Sequence, residues 1–278
     1  MKIKLGLSPE ADDVFMYHGL RSGKVDTGEL EIEPVVEAFQ TLNDQASRGK
    51  LDATSMSVHA YAYARKRYVL SRCGSSFGAN CGPLLVAREE LNAEQLAAAT
   101  IAVPGVTSSA YLALALWGPD IRTRVLPFDK IIPAVESGLT DCGLISHEEQ
   151  MSLDVTGLTC VLDFGVWWSG RTGGMPLPMG CVAISRNLAP DVQRQLQQAI
   201  GESVKYGLAN RDEALAAVNE QVDERNLRDA DEFIERYVND LSVDVGDSGR
   251  AAMEEFLSRG CLAGIIPDTL PLEFVPAE

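Results

Sequence analysis

The stretch Asp141-Cys-Gly-Leu-Ile-Ser-His147-Glu148 organises the fold of this 278-residue chain. Its four small or apolar residues, 142–145, have the length and bounding of a short buried strand. Ser146, His147 and two carboxylates follow, so an imidazole stands at a strand end. Histidine has the unperturbed pKa nearest to neutrality, and a sheet rim suits a general base. His147 is therefore a candidate catalytic base; the alternative is a histidine that caps the strand or is satisfied in a core.

Strands and helices alternate on both sides of this segment. Such alternation predicts an α/β fold with mostly parallel sheets and helices on both faces. Long amphipathic helices replace the alternation after about residue 189. We therefore expect a first, discontinuous α/β lobe at 1–90 and 185–278, with a helical C-terminal part. A second α/β lobe is inserted at 91–184. Ligands of such folds bind beyond the carboxyl ends of strands, here in the inter-lobe cleft.

Composition excludes several classes of partner. The formal net charge is −16 and the pI about 4.6, and such a surface repels nucleic acid and anionic lipid. No apolar run approaches the ~18 residues of a membrane span, and the first strand has too short an apolar core for a signal peptide. We expect a cytoplasmic protein. Six cysteines form no C-x-x-C pair, so neither metal binding nor a disulfide framework is indicated; the oligomeric state stays open.

Hydroxyl groups follow the predicted strands at two places. Thr107, Ser108 and Ser109 stand where a strand meets an apolar helix, and free N–H groups of a first helical turn bind anions without a formal positive charge. The alternative is an ordinary Ser/Thr N-cap. The segment 54–57, Thr-Ser-Met-Ser, ends a strand of the other lobe in the same way. Together they predict a site for a small anionic substrate, and no nucleotide- or dinucleotide-binding motif occurs in the sequence.

Other polar residues of the sequence have weaker claims to a functional role. His18 and His59 lie in predicted helices and are expected to pack or to face solvent. Asn43 faces the cleft if its helix runs as predicted. Asp12 or Asp13 is expected to cap the first helix.

Short segments along nearly the whole chain match one known family. They are Lys4-Leu-Gly-Leu-Ser-Pro9, Thr41-Leu-Asn43, His59-Ala-Tyr-Ala62, Arg67-Tyr-Val-Leu70, Cys81-Gly-Pro-Leu84, Val103-Pro-Gly105, Ser108-Ser-Ala-Tyr111, Gly143-Leu-Ile145, His147-Glu148, Trp167-Trp168, Pro176-Leu-Pro178, Leu208-Ala-Asn210 and Tyr237-Val-Asn-Asp-Leu-Ser242. In these segments the chain resembles the 1,4-dihydroxy-6-naphthoate synthases of the futalosine route to menaquinone.

The resemblance implies a two-lobed fold like that of the type 2 periplasmic solute-binding proteins. It implies a carbon–carbon lyase that needs no cofactor and cleaves cyclic dehypoxanthinyl futalosine to 1,4-dihydroxy-6-naphthoate and dihydroxyacetone. The family's proton acceptor corresponds to His147 and its hydroxyl pair to Ser108 and Ser109. Its second substrate-contacting tripeptide corresponds to Ser55-Met56-Ser57, and its cleft asparagine to Asn43.

Two segments depart from the family pattern. The first loop reads Ser8-Pro-Glu-Ala-Asp-Asp13 where the family usually has Ser-Pro-Cys-Pro-Asn-Asp, and Ser55 stands where the family usually has a lysine. Loss of that cation predicts weaker anion binding, by about 1–3 kcal/mol for one charged hydrogen bond. Two alternatives therefore remain: a chorismate dehydratase-like sister enzyme, and a non-enzymatic paralogue that binds a small carboxylate.

Overall fold

The protein consists of two β-sheets with helices around them. The computed structural model describes residues 1–118, 121–146, 148–220 and 227–276. The first sheet comprises β1 (Lys2–Leu7), β2 (Glu31–Val36), β3 (Ala53–Ser57), β4 (Tyr68–Leu70), β5 (Ser76–Gly78) and β11 (Leu177–Ser185). The second comprises β6 (Leu84–Ala87), β7 (Thr100–Val103), β8 (Arg122–Val125), β9 (Cys142–Ile145) and β10 (Thr159–Asp163).

Helices connect these strands and extend the C-terminal part. They are α1 (Ala11–Met16), α2 (His18–Arg21), α3 (Phe39–Ser47), α4 (Val58–Ala64), α5 (Ala93–Ala98), α6 (Ser109–Trp117), α7 (Phe128–Glu136), α8 (Leu153–Thr156), α9 (Phe164–Thr172), α10 (Pro190–Ala209), α11 (Arg211–Asn219), α12 (Leu227–Tyr237), α13 (Asp240–Val243) and α14 (Gly246–Leu262), with a 3-10 helix at Glu148–Ser152. Within the described ranges, no helix is both long and apolar enough to cross a membrane.

Strand β9 confirms the prediction made from its four residues. It is the central strand of the second sheet, whose order is β10-β6-β9-β7-β8, and all four of its residues are buried. A strand covered by helices on both faces carries a continuous apolar run rather than an alternating one. Its carboxyl end therefore leads directly to the edge of the sheet at Ser146.

The two-lobed α/β architecture is confirmed, but both sheets are mixed rather than mostly parallel. In the first sheet β1 pairs in parallel with β2 and β3, whereas β11 runs antiparallel to β3, β4 and β5. In the second sheet β7 is parallel to β8 and β9, whereas β6 is antiparallel to β9 and β10. Every antiparallel pair includes β6 or β11, the strands that follow the two connections between the sheets. A strand that enters from the other lobe can run opposite to its neighbour, because it does not need the helical crossover that joins parallel strands.

A continuous hydrophobic core joins the two sheets. One cluster of buried side chains includes Tyr61 and Phe77 beside the first sheet, Leu85 and Leu112 of the second lobe, and Phe256 of α14. Helix α14 packs against β11, α4 and α6. The limits 1–90, 91–184 and 185–278 stay a prediction. Since β6 pairs in the second sheet and β11 in the first, we propose that the chain passes between lobes near 79–83 and 173–176.

Candidate functional site

A cavity lies between the two lobes, where β3 and β9 end and α1, α3 and α6 begin. Its volume is about 40 Å³. It is lined by Glu10, Asp12, Phe39, Ser57, Ser76, Ser108, Ser109, Ala110, Phe128, Ser146, Met179, Gly180, Phe233 and Tyr237. A larger depression of about 620 Å³ along α10 is a surface groove away from these strand ends. Strand ends of both lobes therefore meet at this one cleft, as the strand–helix pattern predicts.

The residue after β9 reaches this cavity. Ser146, which follows the last strand residue Ile145, is part of the lining. The candidate base His147 lies outside the described residues, so its role stays a prediction. The next residue, Glu148, begins the 3-10 helix and is buried.

The hydroxyls at the start of α6 are already hydrogen-bonded within the protein. Ser108 is the N-cap, since its Oγ accepts from the N–H of Tyr111 at 3.1 Å, and it also donates to the carbonyl of Gly105 at 3.0 Å. The Ser109 Oγ donates to the carbonyl of Met179 at 2.6 Å, across the cleft in β11. Ordinary capping is thus present at Ser108, and what remains for an anion is the positive end of the helix with its first N–H groups.

Thr107 holds the same loop to the first lobe. Its Oγ1 exchanges hydrogen bonds with the side-chain amide of Gln40 on α3, at 3.0 and 3.3 Å. A Cβ atom on Gly105 would lie 1.9 Å from the Gln40 Oε1, so the loop and α3 approach closely. Thr107 does not line the cavity; it fastens the loop that does.

Because side chains of a strand alternate, Met56 lies on the opposite face of β3 from Ser55 and Ser57. Ser57 lines the cavity, and Met56 is buried in the hydrophobic core. The Asn43 amide nitrogen donates to the Ser57 Oγ at 3.1 Å, and the Asn43 Oδ1 accepts from the Ser57 N–H at 2.9 Å. Asn43 therefore orients Ser57 from behind. Ser55 is also set back, since its Oγ donates to the Asp13 Oδ1 at 3.0 Å.

A group of four carboxyl groups, of which Glu10 is half-buried and the others are buried, is the part of the site that sequence analysis missed. Glu10 and Asp12 line the cavity, Asp13 lies beside them, and Glu148 approaches from the 3-10 helix. Asp12 and Asp13 do not cap α1, so that prediction is wrong: Glu10 occupies the N-cap position without a side-chain cap bond. Asp13 instead accepts from the N–H of Ser8 at 2.7 Å. The unusual Glu10-Ala-Asp-Asp13 acidity was the available signal.

Burial changes the ionisation of these acids. Burial, with the charge of Asp13 next in size, raises the pKa of Asp12 to about 8. Burial raises the pKa of Asp13 to about 6, against two stabilising hydrogen bonds from Ser8 and Ser55. The pKa of Glu10 also lies well above its usual range, because of burial and the charge of Asp12. The Oε2 of Glu148 is buried without a hydrogen-bond partner among the described residues. Near neutral pH, Asp12 is thus mostly protonated, whereas Asp13, with its lower pKa, is mostly ionised.

His59 supports the opposite wall. Its Nδ1 lies 3.0 Å from the carbonyl oxygen of Ser108, which fixes Nδ1 as the protonated nitrogen, and its ring stacks on Tyr111. Burial lowers the pKa of His59 to about 4, so the ring is neutral. The expected packing role is confirmed for His59. His18 lies away from the cleft, where its Nε2 is 3.3 Å from Glu213.

The described residues contain no group of three or more His, Cys, Asp or Glu side chains able to hold a metal ion.

Comparison with known proteins identifies the family. A model described as "Menaquinone biosynthesis" matches residues 3–261. The chain is 36% identical to a Thermus thermophilus protein named "1,4-dihydroxy-6-naphtoate synthase", over 97% of this chain and 98% of the relative. A crystal structure from Archaeoglobus fulgidus superposes with a TM-score of 0.89 at 37% identity, covering 95% of this chain and 98% of that one.

The fold is that of the periplasmic binding proteins. A Candida albicans protein described as having the generic periplasmic binding protein fold superposes with a TM-score of 0.68 at 18% identity, covering 97% of this chain and 92% of that one. With its family model spanning most of the sequence and a relative matched over nearly its full length, the chain belongs to the menaquinone biosynthesis family.

Proposed function

We propose that this protein is a 1,4-dihydroxy-6-naphthoate synthase, a cofactor-free lyase that converts cyclic dehypoxanthinyl futalosine to 1,4-dihydroxy-6-naphthoate. The observation that carries the proposal is the 36% identity to the Thermus protein of that name over 97% of this chain. The cavity between the lobes is the proposed reaction site. A cytoplasmic location, consistent with a biosynthetic role, stays a prediction.

The lining of the cleft suits such a substrate. Phe39, Phe233 and Tyr237 give aromatic and apolar surface for a flat ring system. The start of α6, with Ser108 and Ser109, supplies N–H groups and a positive helix end for a carboxylate. His147, as the general base, would take a proton from the substrate at the end of β9. The opposite side of the cleft is Ser57, which Asn43 orients.

The lobes must separate for turnover. A cavity of about 40 Å³ holds no more than a few water molecules, whereas sites for ligands of this size occupy about 300–1,000 Å³. The bonds from Ser109 to Met179 and from Thr107 to Gln40 close the cleft on the α6 side. We therefore expect substrate entry and product release to break at least one of them.

The test is turnover of the cyclic substrate, followed by mass spectrometry of the naphthoate product. Wild type should form the product without added metal or nucleotide, and His147→Ala should lose at least about 100-fold in kcat, the usual contribution of a general base. His18→Ala, which changes a histidine far from the cleft, is the matched control and should keep wild-type kcat. A folded His147→Ala variant with near wild-type kcat would remove the assigned base. Consumption of chorismate instead would identify the sister activity, and tight carboxylate binding without turnover would identify a binding paralogue.

A further inference from the structure

We propose that Asp12 is a substrate-binding residue that works as an un-ionised carboxylic acid and donates a hydrogen bond to an uncharged oxygen of the ligand. This inference rests on the proposed function of the cleft and extends it to a residue that neither the family resemblance nor the relatives assign. In this arrangement the carboxyl groups at the start of α1 face the carbonyl or hydroxyl side of the substrate, and the start of α6 binds its carboxylate.

The position of Asp12 is fixed by the backbone. Its Oδ1 accepts from the N–H of Asp13 at 3.0 Å, and its side chain lines the cavity although the residue is only 7% exposed. No hydrogen bond to its second oxygen, Oδ2, comes from the described part of the chain. That oxygen is therefore available to the cavity, on a carboxyl group that the backbone holds in place.

The groups around Asp12 and Asp13 favour a state in which Asp13 is ionised and Asp12 is protonated. Asp13 accepts hydrogen bonds from the Ser8 N–H and the Ser55 hydroxyl, which stabilise its carboxylate. Asp12 has backbone donors only, and the charge of Asp13 lies beside it. Two adjacent acids in such unequal surroundings separate into an ionised and a protonated member, as at other carboxyl pairs.

Other facing groups reinforce this division. Glu148 faces α1 from the 3-10 helix and adds negative potential at Asp12. Glu10 precedes α1, and burial and the charge of Asp12 raise its own pKa. Tyr17 contributes a neutral hydroxyl, as does Tyr237 of α12. Arg211, the first residue of α11, lies over the Phe15 ring of α1 and pairs with Asp231. Among the described residues, no lysine or arginine forms an ion pair with any of the four acids.

An un-ionised carboxyl group has an O–H to donate, which a carboxylate lacks. A ligand carboxylate placed here would meet the ionised Asp13 and the unpartnered Oε2 of Glu148, so it is excluded from this wall. An uncharged ligand oxygen is favoured here, because it can accept the hydrogen bond that the Asp12 O–H donates. Glu10 is a poorer donor, since it is partly exposed and its side chain has no fixed partner in the described residues.

The experiment compares wild type with Asp12→Asn, which keeps a donor but cannot ionise, and Asp12→Leu, which keeps the volume but has no donor. Asp191→Asn, an exposed acid on α10, is the control. The kcat/KM for the cyclic substrate is measured from about pH 6 to about pH 9.5. Wild type should fall about tenfold per pH unit above about pH 8, and Asp12→Asn should lack that fall. Asp12→Leu should be about tenfold less active than Asp12→Asn at every pH, the effect of one neutral hydrogen bond.

An alkaline fall that persists unchanged in Asp12→Asn, or equal activity of the Leu and Asn variants, would overturn the proposal. Absence of turnover by wild type would instead overturn the proposed function. In that case the ionisation of Asp12 is read directly, from the 13C carboxyl resonance that Asp12→Asn removes. A titration of that resonance near pH 8 supports an un-ionised Asp12, and a titration near pH 4 refutes it.

Discussion

Replacement of Asp12 by asparagine is expected to stabilise the folded protein at neutral and alkaline pH. Asparagine has the shape of the protonated aspartic acid and carries no charge into the cleft. The folded-state pKa of Asp12 is raised to about 8, whereas the ordinary value of 3.8 applies to the unfolded chain. Between these values the native state binds more protons than the unfolded state, so wild-type stability falls as pH rises. The variant is free of this loss.

The size of the effect follows from the pKa difference. A rise from 3.8 to about 8 is about four pH units, and each unit corresponds to about 1.4 kcal/mol, so the upper bound is about 6 kcal/mol above pH 8. Part of that cost arises from mutual repulsion with Asp13 and Glu148, which a proton on either partner also relieves. We therefore expect a gain of about 2–4 kcal/mol at pH 8 and about zero at pH 4.

Urea unfolding at several pH values measures this difference. The free energy of unfolding of wild type, Asp12→Asn and the exposed control Asp191→Asn is compared from about pH 4 to about pH 9. The advantage of Asp12→Asn over wild type should grow through this window and level off above pH 8, while the control follows wild type throughout. A constant difference at all pH values, or a variant less stable than wild type at pH 8, would refute an un-ionised Asp12.

Three further substitutions test other parts of the structure. Asn43→Ala removes both bonds to Ser57 and should lower the free energy of urea unfolding by about 2 kcal/mol; an unchanged value would mean that water replaces the amide. Gly165→Ala places a Cβ 1.8 Å from the Cys81 carbonyl oxygen and should cost about 3 kcal/mol, whereas Gly170→Ala in the same helix meets nothing and should not destabilise. Ser108→Ala removes the α6 N-cap and should cost about 1 kcal/mol in thermal unfolding and raise KM; an unaltered KM would place the substrate carboxylate elsewhere.

The parts of the fold that local sequence encodes were predictable. The run Cys142–Ile145 forms a buried strand because its four residues suit burial on both faces, and Ser108 caps α6 because Ser at a strand-to-helix junction satisfies a free N–H. Strand direction was not predictable in this way. β11 pairs antiparallel with β3 although more than a hundred residues separate them, and only the route of the chain between lobes decides that orientation.

The candidate site was predictable on one side and not on the other. Ser57 and Ser109 line the cavity because each follows or begins an element at the cleft edge. Met56 and Ser55 belong to the same tripeptide, but strand alternation turns Met56 into the core and packing sets Ser55 behind Asp13. The acidity of the Asp12 loop is visible in the sequence, but its approach to Glu148 is not, because the two meet only through tertiary packing.

These acids also change how the charge of the protein bears on an anionic substrate. A formal charge of −16 counts Asp12 as ionised, yet its surroundings favour the protonated form at neutral pH. The field inside the cleft is therefore less negative, by the charge of Asp12, than the composition indicates, although Asp13 beside it stays mostly ionised. If the proposed function holds, the proton on Asp12 removes one negative charge that would otherwise face a substrate carboxylate bound at the start of α6. Substrate affinity should accordingly weaken as pH rises past 8, and Asp12→Asn should retain it.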